Sequence, residues 1–196
     1  MKKIVFMAVA LMAFAVASAQ EDVVAAYNQS TEALKARNFA KAAELLEKVI
    51  ADGEESEDDT VLGCVENAKK NLPAAYQGMG AMSAAAAMKA QKPEEADAKF
   101  ADAIANLNKA VAKAKEFKNN AAAAKAGAML AKVYQAQGAS AFNGEDYAKA
   151  IEIFAKGYAA DPKNTDMAMN LAESYFKMDK YAEGMKVCEE VAALPS

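Results

Sequence analysis

Few side chains in this 196-residue sequence could do chemistry, because histidine is absent. Without an imidazole, the Ser-His-Asp and Cys-His mechanisms and histidine-based metal sites are excluded. Carboxylates remain as possible general acids and bases, but a working pair needs a cleft that separates their environments, and no Asp or Glu pair stands out. We therefore expect a protein that is not an enzyme, with a carboxylate-dependent hydrolase as a less favoured alternative.

Metal chemistry has two candidate segments, and each has a simpler interpretation. Residues 52–59 hold six carboxylates but lack the alternating ligands and terminal glutamate of a calcium loop, so a solvated loop is favoured. Met79, Met82 and Met88 could bind copper(I) through their thioethers, but no histidine or cysteine completes a nearby ligand set. Core packing is the favoured role of these methionines. The sequence predicts no metal and no cofactor.

The first 19 residues have the pattern of an export signal: two lysines, an apolar run over 4–16 and a small-residue triplet at 17–19. We expect cleavage after Ala19 and a mature protein that is exported, periplasmic or secreted, and soluble. The apolar run is shorter than the roughly 20 residues of a membrane-spanning helix. No transmembrane segment is therefore expected after cleavage.

Charge and cysteine content restrict the partners of the mature chain. Loss of two signal lysines from the 23 basic residues leaves 21 against 27 acidic residues, a net charge of −6. Because the lysines are spread among carboxylates, nucleic acid is not an expected partner. Cys64 and Cys188 could form a disulfide after export, but a free, packed thiol at Cys188 is favoured and the pairing is left open.

Helices must position whatever site the chain has. Alanine makes up 51 of the 196 residues, beside four prolines and nine glycines, a composition that favours helix almost throughout. An aromatic residue, a small residue three positions on and an apolar residue seven positions on recur four times, starting at Phe39, Phe100, Tyr147 and Tyr181. The last two copies are 34 residues apart, which is the period of a helix-turn-helix repeat.

One copy of this pattern also predicts how its helices pack. Tyr147, Ala150 and Phe154 share a helix face and are expected to point toward a neighbouring helix, while Lys149 stays in water. Gly138 on the preceding helix costs about 1 kcal/mol of helix propensity relative to alanine. Close contact between two helices at that position would offset the cost.

Five residues of the same unit carry a family resemblance: Gly138, Tyr147, Ala150, Phe154 and Pro162. They stand at signature positions of the tetratricopeptide repeat family, which the chain resembles, and the likeness extends to secreted bacterial proteins built from such repeats. The similarity is most specific over residues 131–196, fair over 22–52 and loose over 60–120. It implies an all-α fold, a right-handed superhelical stack of antiparallel helix hairpins, as in a tetratricopeptide α-solenoid.

The expected layout is a single domain of residues 20–196 with about four hairpins. The hairpins are expected near 22–52, 60–118, 120–160 and 165–193. Their eight helices are expected near 22–37, 39–52, 60–91, 94–118, 120–143, 147–160, 165–178 and 181–193. Pro73 is expected to kink the third helix or divide it. The alanine runs 84–87 and 121–124 are expected at close-packed helix interfaces.

The resemblance implies a non-enzymatic scaffold that binds a peptide or partner protein on a concave surface lined by the first helix of each hairpin. The positions carried over are Tyr27, Thr31, Lys132, Gln135, Ala139, Phe142, Asn143, Asp166, Met169, Asn170, Glu173, Phe176 and Lys177. Two alternatives stay open: Phe142 and Phe176 only plug a packed end, or the protein is a self-assembling structural module of the cell envelope. The identity of the partner and the oligomeric state do not follow from the sequence.

Overall fold

A computed structural model describes residues 20–193, and all regular secondary structure within that range is helical. The all-α class is thereby confirmed for this part of the chain. The helices are α1 over 20–35, α2 Phe39–Gly53, α3 Asp59–Ala87, α4 Pro93–Glu116, α5 Asn120–Asn143, α6 Tyr147–Ala160, α7 Thr165–Lys177 and α8 Tyr181–Ala192. The predicted signal over residues 1–19 lies outside the described residues.

The helix bounds agree with the predicted ones to within a few residues, with one difference in α3. The predicted division at Pro73 does not occur, since α3 is one continuous helix from Asp59 to Ala87. Pro73 is fully buried, so packing of its ring compensates for the hydrogen bond that proline cannot donate. Among residues 20–193, no helix is both long and apolar enough to cross a membrane.

The turns that follow α1, α4, α5 and α7 share one backbone geometry. In each, a non-glycine residue adopts a left-handed conformation with φ of 55–61°. The N–H of the next residue then donates to the carbonyl five positions back, at 2.7–3.0 Å, which is the helix-ending bond of a Schellman motif. The left-handed residues are Arg37, Lys118, Glu145 and Asp179.

Substituting Arg37 with glycine should stabilise the protein. A left-handed conformation costs an L-residue roughly 1–2 kcal/mol, whereas glycine adopts it freely but loses more entropy on folding. We expect a net gain of about 0.5–1 kcal/mol in the free energy of unfolding, measured by urea denaturation. Arg37→Ala is the matched control and should give no gain, because alanine meets the same strain. An equal gain in both variants would contradict this explanation.

The chain divides into two compact units, each described here by itself. The first contains residues up to Met79 together with Lys109–Ala123. In this unit Gly53 of α2 lies between Val23 of α1 and Val65 of α3, so close that an added Cβ would come within 3.2 and 2.7 Å of them. The single domain predicted for residues 20–196 stays a prediction.

The second unit contains Gly80–Asn108 together with the residues from Ala124 onward, and it holds two apolar clusters. One joins the end of α3 to α4 and α5, and the other joins α5 to α6, α7 and α8. The first cluster comprises Ala84, Ala87, Phe100, Ala103, Leu107, Leu130 and Val133. The second comprises Ala141, Ala150, Ile153, Phe154, Met167, Ala168, Leu171, Ala172 and Val187.

The contact predicted at Gly138 is present in the second cluster. A Cβ added to Gly138 would lie 2.5 Å from the ring of Phe154, so the ring occupies the space that any larger residue would need. Ala150 and Phe154 are 0% and 1% exposed, as the repeat pattern predicts, whereas Tyr147 is half-buried. The glycine and the aromatic ring therefore form one packing unit across α5 and α6.

The two alanine runs behave differently. Ala84 and Ala87 are buried, as expected for a helix interface. The prediction is wrong in part for residues 121–124: Ala121 and Ala124 are exposed, while Ala122 and Ala123 are half-buried and the Ala122 carbonyl accepts a hydrogen bond from Gln77 of α3 at 3.1 Å. This run forms the first turn of α5, and the buried face of the helix begins only at Ala126.

Candidate functional site

Five of the positions that the family resemblance assigns to partner binding lie on α5, and they are partly accessible. Lys132 and Asn143 are exposed, and Gln135, Ala139 and Phe142 are half-buried. The sequence places them on one side of the helix through repeated spacings of three and four residues. α5 therefore presents a mixed polar and apolar surface within the second unit.

The positions carried over to α7 are more exposed and line none of the cavities described below. Met169 is 52% exposed, and Asp166, Glu173 and Lys177 are also exposed. Asn170 is half-buried, and its carbonyl accepts a hydrogen bond from the buried hydroxyl of Ser174 at 2.7 Å. α7 thus supplies a charged outer face.

Phe142 and Phe176 both pack against the cluster of α5–α8. The ring of Phe142 meets Tyr147 edge-to-face with 5.2 Å between centroids. The ring of Phe176 stacks on Tyr181 at 6.3 Å and fills the space beside Gly184, where an added Cβ would lie 2.3 Å from it. These contacts fit the packing alternative for both rings, and their role in binding stays a prediction.

Tyr27 and Thr31 belong to the first unit and are half-buried in α1. The hydroxyl of Thr31 donates to the carbonyl of Asn28 at 2.7 Å, a local bond within the helix. Their role in binding stays a prediction.

An apolar cavity of about 250 Å³ lies between the end of α3, α4 and α5 of the second unit. Eight of its nine lining residues are apolar, and the ninth is Lys132. The apolar ones are Ala81, Ala84, Met88, Phe100, Leu107, Met129, Val133 and Ala136. On α5, residues 129, 132, 133 and 136 face the cavity because they recur every three or four positions.

A polar cavity of about 660 Å³ adjoins the apolar cavity. Both are lined by Met88, Phe100 and Ala136, and the polar cavity continues along α5 past Ala139 to Asn143. Together we call them the α5 groove. It contains three of the positions carried over from the family: Lys132, Ala139 and Asn143.

The charges in the polar cavity are largely paired. Lys149 of α6 and Asp97 of α4 form an ion pair and are 35% and 39% exposed. The prediction that Lys149 stays in water is therefore wrong in part, because α4 supplies a carboxylate that the repeat pattern does not reveal. Asp146 accepts from the backbone N–H of Lys149 at 3.1 Å and caps α6. Lys132 of the apolar cavity and Lys92 of the polar cavity, by contrast, make no ion pair within residues 20–193.

Core packing, the favoured role of the methionines, is wrong for two of them. Met82 and Met88 are 54% and 66% exposed, while Met79 is half-buried. The buried face of this part of α3 is made of small residues, including Ala84 and Ala87, so the helices approach closely and leave the methionines outside. Met88 instead forms part of the border between the two cavities.

The carboxylates of residues 52–59 have structural roles at the α2–α3 junction. Asp58 accepts hydrogen bonds from the N–H groups of Thr60 and Val61 at 2.9 and 3.0 Å and caps α3. Glu54 accepts from Lys69 at 2.6 Å. Among residues 20–193, no group of three or more His, Cys, Asp or Glu side chains could hold a metal ion.

Two titratable groups of the first unit are tuned by burial. Burial, and then a hydrogen bond of 2.6 Å to Glu47, raises the pKa of Tyr76 to about 12. Burial likewise raises the pKa of the Cys64 thiol, which makes it less reactive at neutral pH. Cys64 and Cys188 are both free in this structure. Neither group has the lowered pKa of an activated nucleophile.

Comparison with known proteins adds to this geometry at the end of the chain. The stretch 143–194 matches the tetratricopeptide repeat family. The resemblance drawn from the sequence is thus confirmed where Tyr147, Ala150 and Phe154 carry it. Tetratricopeptide repeats act in general as protein-interaction scaffolds.

The solved structures that are similar to the chain include the following two. No curated protein matches the chain. The first is of pilF from Pseudomonas aeruginosa, at 17% identity over 91% of this chain and 79% of that chain, with a TM-score of 0.32. The second is of MamA, AMB-1, at 16% identity over 88% of this chain and 91% of that chain, with a TM-score of 0.31. At such low TM-scores these similarities support no conclusion about partners.

The sequence missed most of the α5 groove. Its lining residues come from separate segments: Phe100 from α4, Met129 and Ala136 from α5, and Met88 from the turn after α3. Only the packing of these segments brings them together. The one signal available was the spacing of Met129, Val133 and Ala136, an apolar face on α5 that continues beyond the family's binding positions.

Proposed function

We propose that this chain is a non-enzymatic scaffold that binds an extended peptide, or a segment of a partner protein, in the α5 groove. The observation that supports this most is the meeting of Lys132, Ala139 and Asn143 with an apolar floor made of Phe100 and Met88. Binding sites combine apolar surface with a few polar groups that fix orientation, and this groove has both. The exposed face of α7, with Met169, Glu173 and Lys177, is a second contact region in this proposal.

A carboxylate-dependent hydrolase finds little support in the groove. Asp97 and Asp146 are the carboxylates that line the polar cavity. Asp97 is paired with Lys149, and Asp146 caps a helix. A catalytic pair needs one carboxyl in an apolar setting that keeps its proton, and neither residue has one.

Self-assembly by continued stacking of repeats is opposed by the last helix. On α6, Gly157 allows close contact with α7, because an added Cβ would lie 2.8 Å from Met167. The equivalent position 34 residues later on α8 is Val191, which packs against the cluster of α5–α8. A residue larger than glycine at this position would keep a further helix farther from α8 than α7 is from α6.

Export belongs to the same proposal. The pattern over residues 1–19 supports removal of a signal after Ala19, which would leave one exported repeat domain from Gln20 onward. The mass of the mature chain, recovered from its native source, tests this.

A bulky substitution in the groove tests the binding proposal. Ala136→Arg places a long side chain at the border of the two cavities, and we expect it to weaken peptide binding at least tenfold. Peptides that bind the wild-type protein would first be selected from a random library. Their affinities for the wild type and for the variant would then be measured by fluorescence anisotropy.

Ala128→Arg is the matched control, because Ala128 is exposed on the same helix and lines neither cavity. It should bind the selected peptides as the wild type does. The Tm of both variants is measured as well, because Ala136 packs against the cluster of α3, α4 and α5, and binding is compared at a temperature where both variants are folded. Selected peptides that bind all three proteins equally would place the site elsewhere and overturn the proposal.

A further inference from the structure

We propose that the apolar cavity of the α5 groove binds a peptide that presents a large apolar side chain beside a single carboxylate, with the carboxylate paired to Lys132. This inference rests on the proposed function, since it names the chemistry of the partner that would occupy the same groove.

The charge at the apolar cavity favours a ligand with a negative group. Lys132 is the one charged residue among nine lining residues, and no carboxylate lines the cavity. Its side chain is exposed and makes no ion pair in the described part of the chain, residues 20–193. A cation at the edge of an apolar surface favours a ligand with one negative group next to an apolar one. A positive group placed there would be repelled.

The size of the apolar cavity fits one large side chain of a ligand. A volume of about 250 Å³ is below the roughly 300–1,000 Å³ of sites that enclose a complete drug-sized ligand. The cavity therefore holds one large side chain and not a whole molecule. Met88 and Met129 line it, and their flexible thioethers adapt to apolar side chains of different shape. Leucine, methionine and phenylalanine all fit this description.

The adjoining polar cavity identifies the ligand as a peptide. From Met129 to Asn143 the groove follows 14 residues of α5, which is about 21 Å at 1.5 Å per residue. An extended peptide of about six residues has this length. Gln91, Ser140 and Asn143 line the polar cavity and can hydrogen-bond to a peptide backbone. A fatty acid would leave these groups unused.

The experiment uses the full mature chain and fluorescein-labelled hexapeptides. The reference probe is Gly-Ser-Gly-Ser-Leu-Glu with an amidated C-terminus. Its analogues carry Gln or Lys in place of Glu, or Ala in place of Leu, and one ends in Leu with a free carboxylate. We expect the reference probe to bind about 5–10-fold more tightly than the Gln and Ala analogues, as measured by fluorescence anisotropy.

Lys132→Glu tests the role of the lysine by charge reversal. This variant should bind the Leu-Glu probe at least tenfold more weakly, keep its affinity for the Leu-Gln probe and gain affinity for the Leu-Lys probe. Lys186→Glu is the control, because it makes the same charge change at an exposed position of α8. It should leave all three affinities unchanged.

The outcomes separate this inference from the proposed function. If the Leu-Glu and Leu-Gln probes bind equally while Ala136→Arg weakens both, the assignment of the carboxylate to Lys132 is wrong and the groove stands. If no probe binds the wild type at millimolar concentration, both proposals fail. Decanoate binding that depends on Lys132, without binding of the Leu-Glu probe, overturns the peptide assignment. Binding of the amidated Leu-Glu probe assigns the charge to a side-chain carboxylate and supports the inference. Tight binding of the free-acid probe alone would assign it to a chain terminus and overturn the inference.

Discussion

Phe154→Ala should lower the free energy of unfolding by about 3–5 kcal/mol. The ring is 1% exposed and packs among Ala150, Met167 and Leu171 in the cluster of α5–α8. Truncation removes its apolar contacts and leaves a cavity that three surrounding helices can close only in part. Urea denaturation followed by circular dichroism at 222 nm measures the loss.

Tyr181→Ala provides the control for this prediction. Tyr181 is the aromatic residue that starts the next copy of the pattern, but it is 59% exposed and its hydroxyl donates to Asp179. Its truncation should cost less than about 1 kcal/mol, as is usual for surface positions. Equal losses in the two variants would show that Phe154 is not the core residue that its burial implies.

Gly138→Ala should destabilise the protein by about 1–2 kcal/mol, although alanine is the better helix former. The added Cβ would lie 2.5 Å from the ring of Phe154, and overpacking of this kind costs about 1–3 kcal/mol. That cost exceeds the gain of up to about 1 kcal/mol in helix propensity. Thermal and urea denaturation of the single variant measure the net effect.

Gly127→Ala in the same helix should have the opposite sign. No atom lies within 4 Å of the position its Cβ would take, so the substitution should stabilise by about 0.5–1 kcal/mol. In a Phe154→Ala background Gly138→Ala should also become stabilising, because the clash is removed. A double-mutant cycle measures this coupling. The same sign for Gly138→Ala in both backgrounds would refute the packing unit of Gly138 and Phe154.

The repeat pattern predicted the positions of the helices because helix formation depends mainly on residues that are close together in the sequence. Helix composition, polar turns and the period of 34 residues predicted each helix to within a few residues. Close helix packing at Gly138 also followed, since a costly glycine in a helix interior indicates close contact, whereas the structure identified the ring of Phe154 as its neighbour. These features depend on residues that are neighbours in the chain or one repeat away. They can therefore be predicted from sequence patterns.

Features that depend on long-range neighbours were misjudged. Met82 and Met88 were expected in the core, but small residues form the buried face of their helix and leave them exposed. Lys149 was expected in water, but Asp97 lies 52 residues earlier and pairs with it. Of the two outcomes expected at Pro73, a kink or a division of α3, the division is wrong, because α3 continues from Asp59 to Ala87.

The sequence by itself indicated an all-helical chain whose end resembles the tetratricopeptide repeat family, and its lack of histidine excluded His-based catalytic and metal sites. The tertiary structure was needed to reveal the α5 groove, which is the proposed binding site. The α5 groove forms because Phe100 of α4 and Met88 at the end of α3 are brought beside α5, and the separation of these residues along the chain hides that contact from any local pattern. A helix face shows in its own periodicity, whereas a cavity exists only between faces that folding brings together.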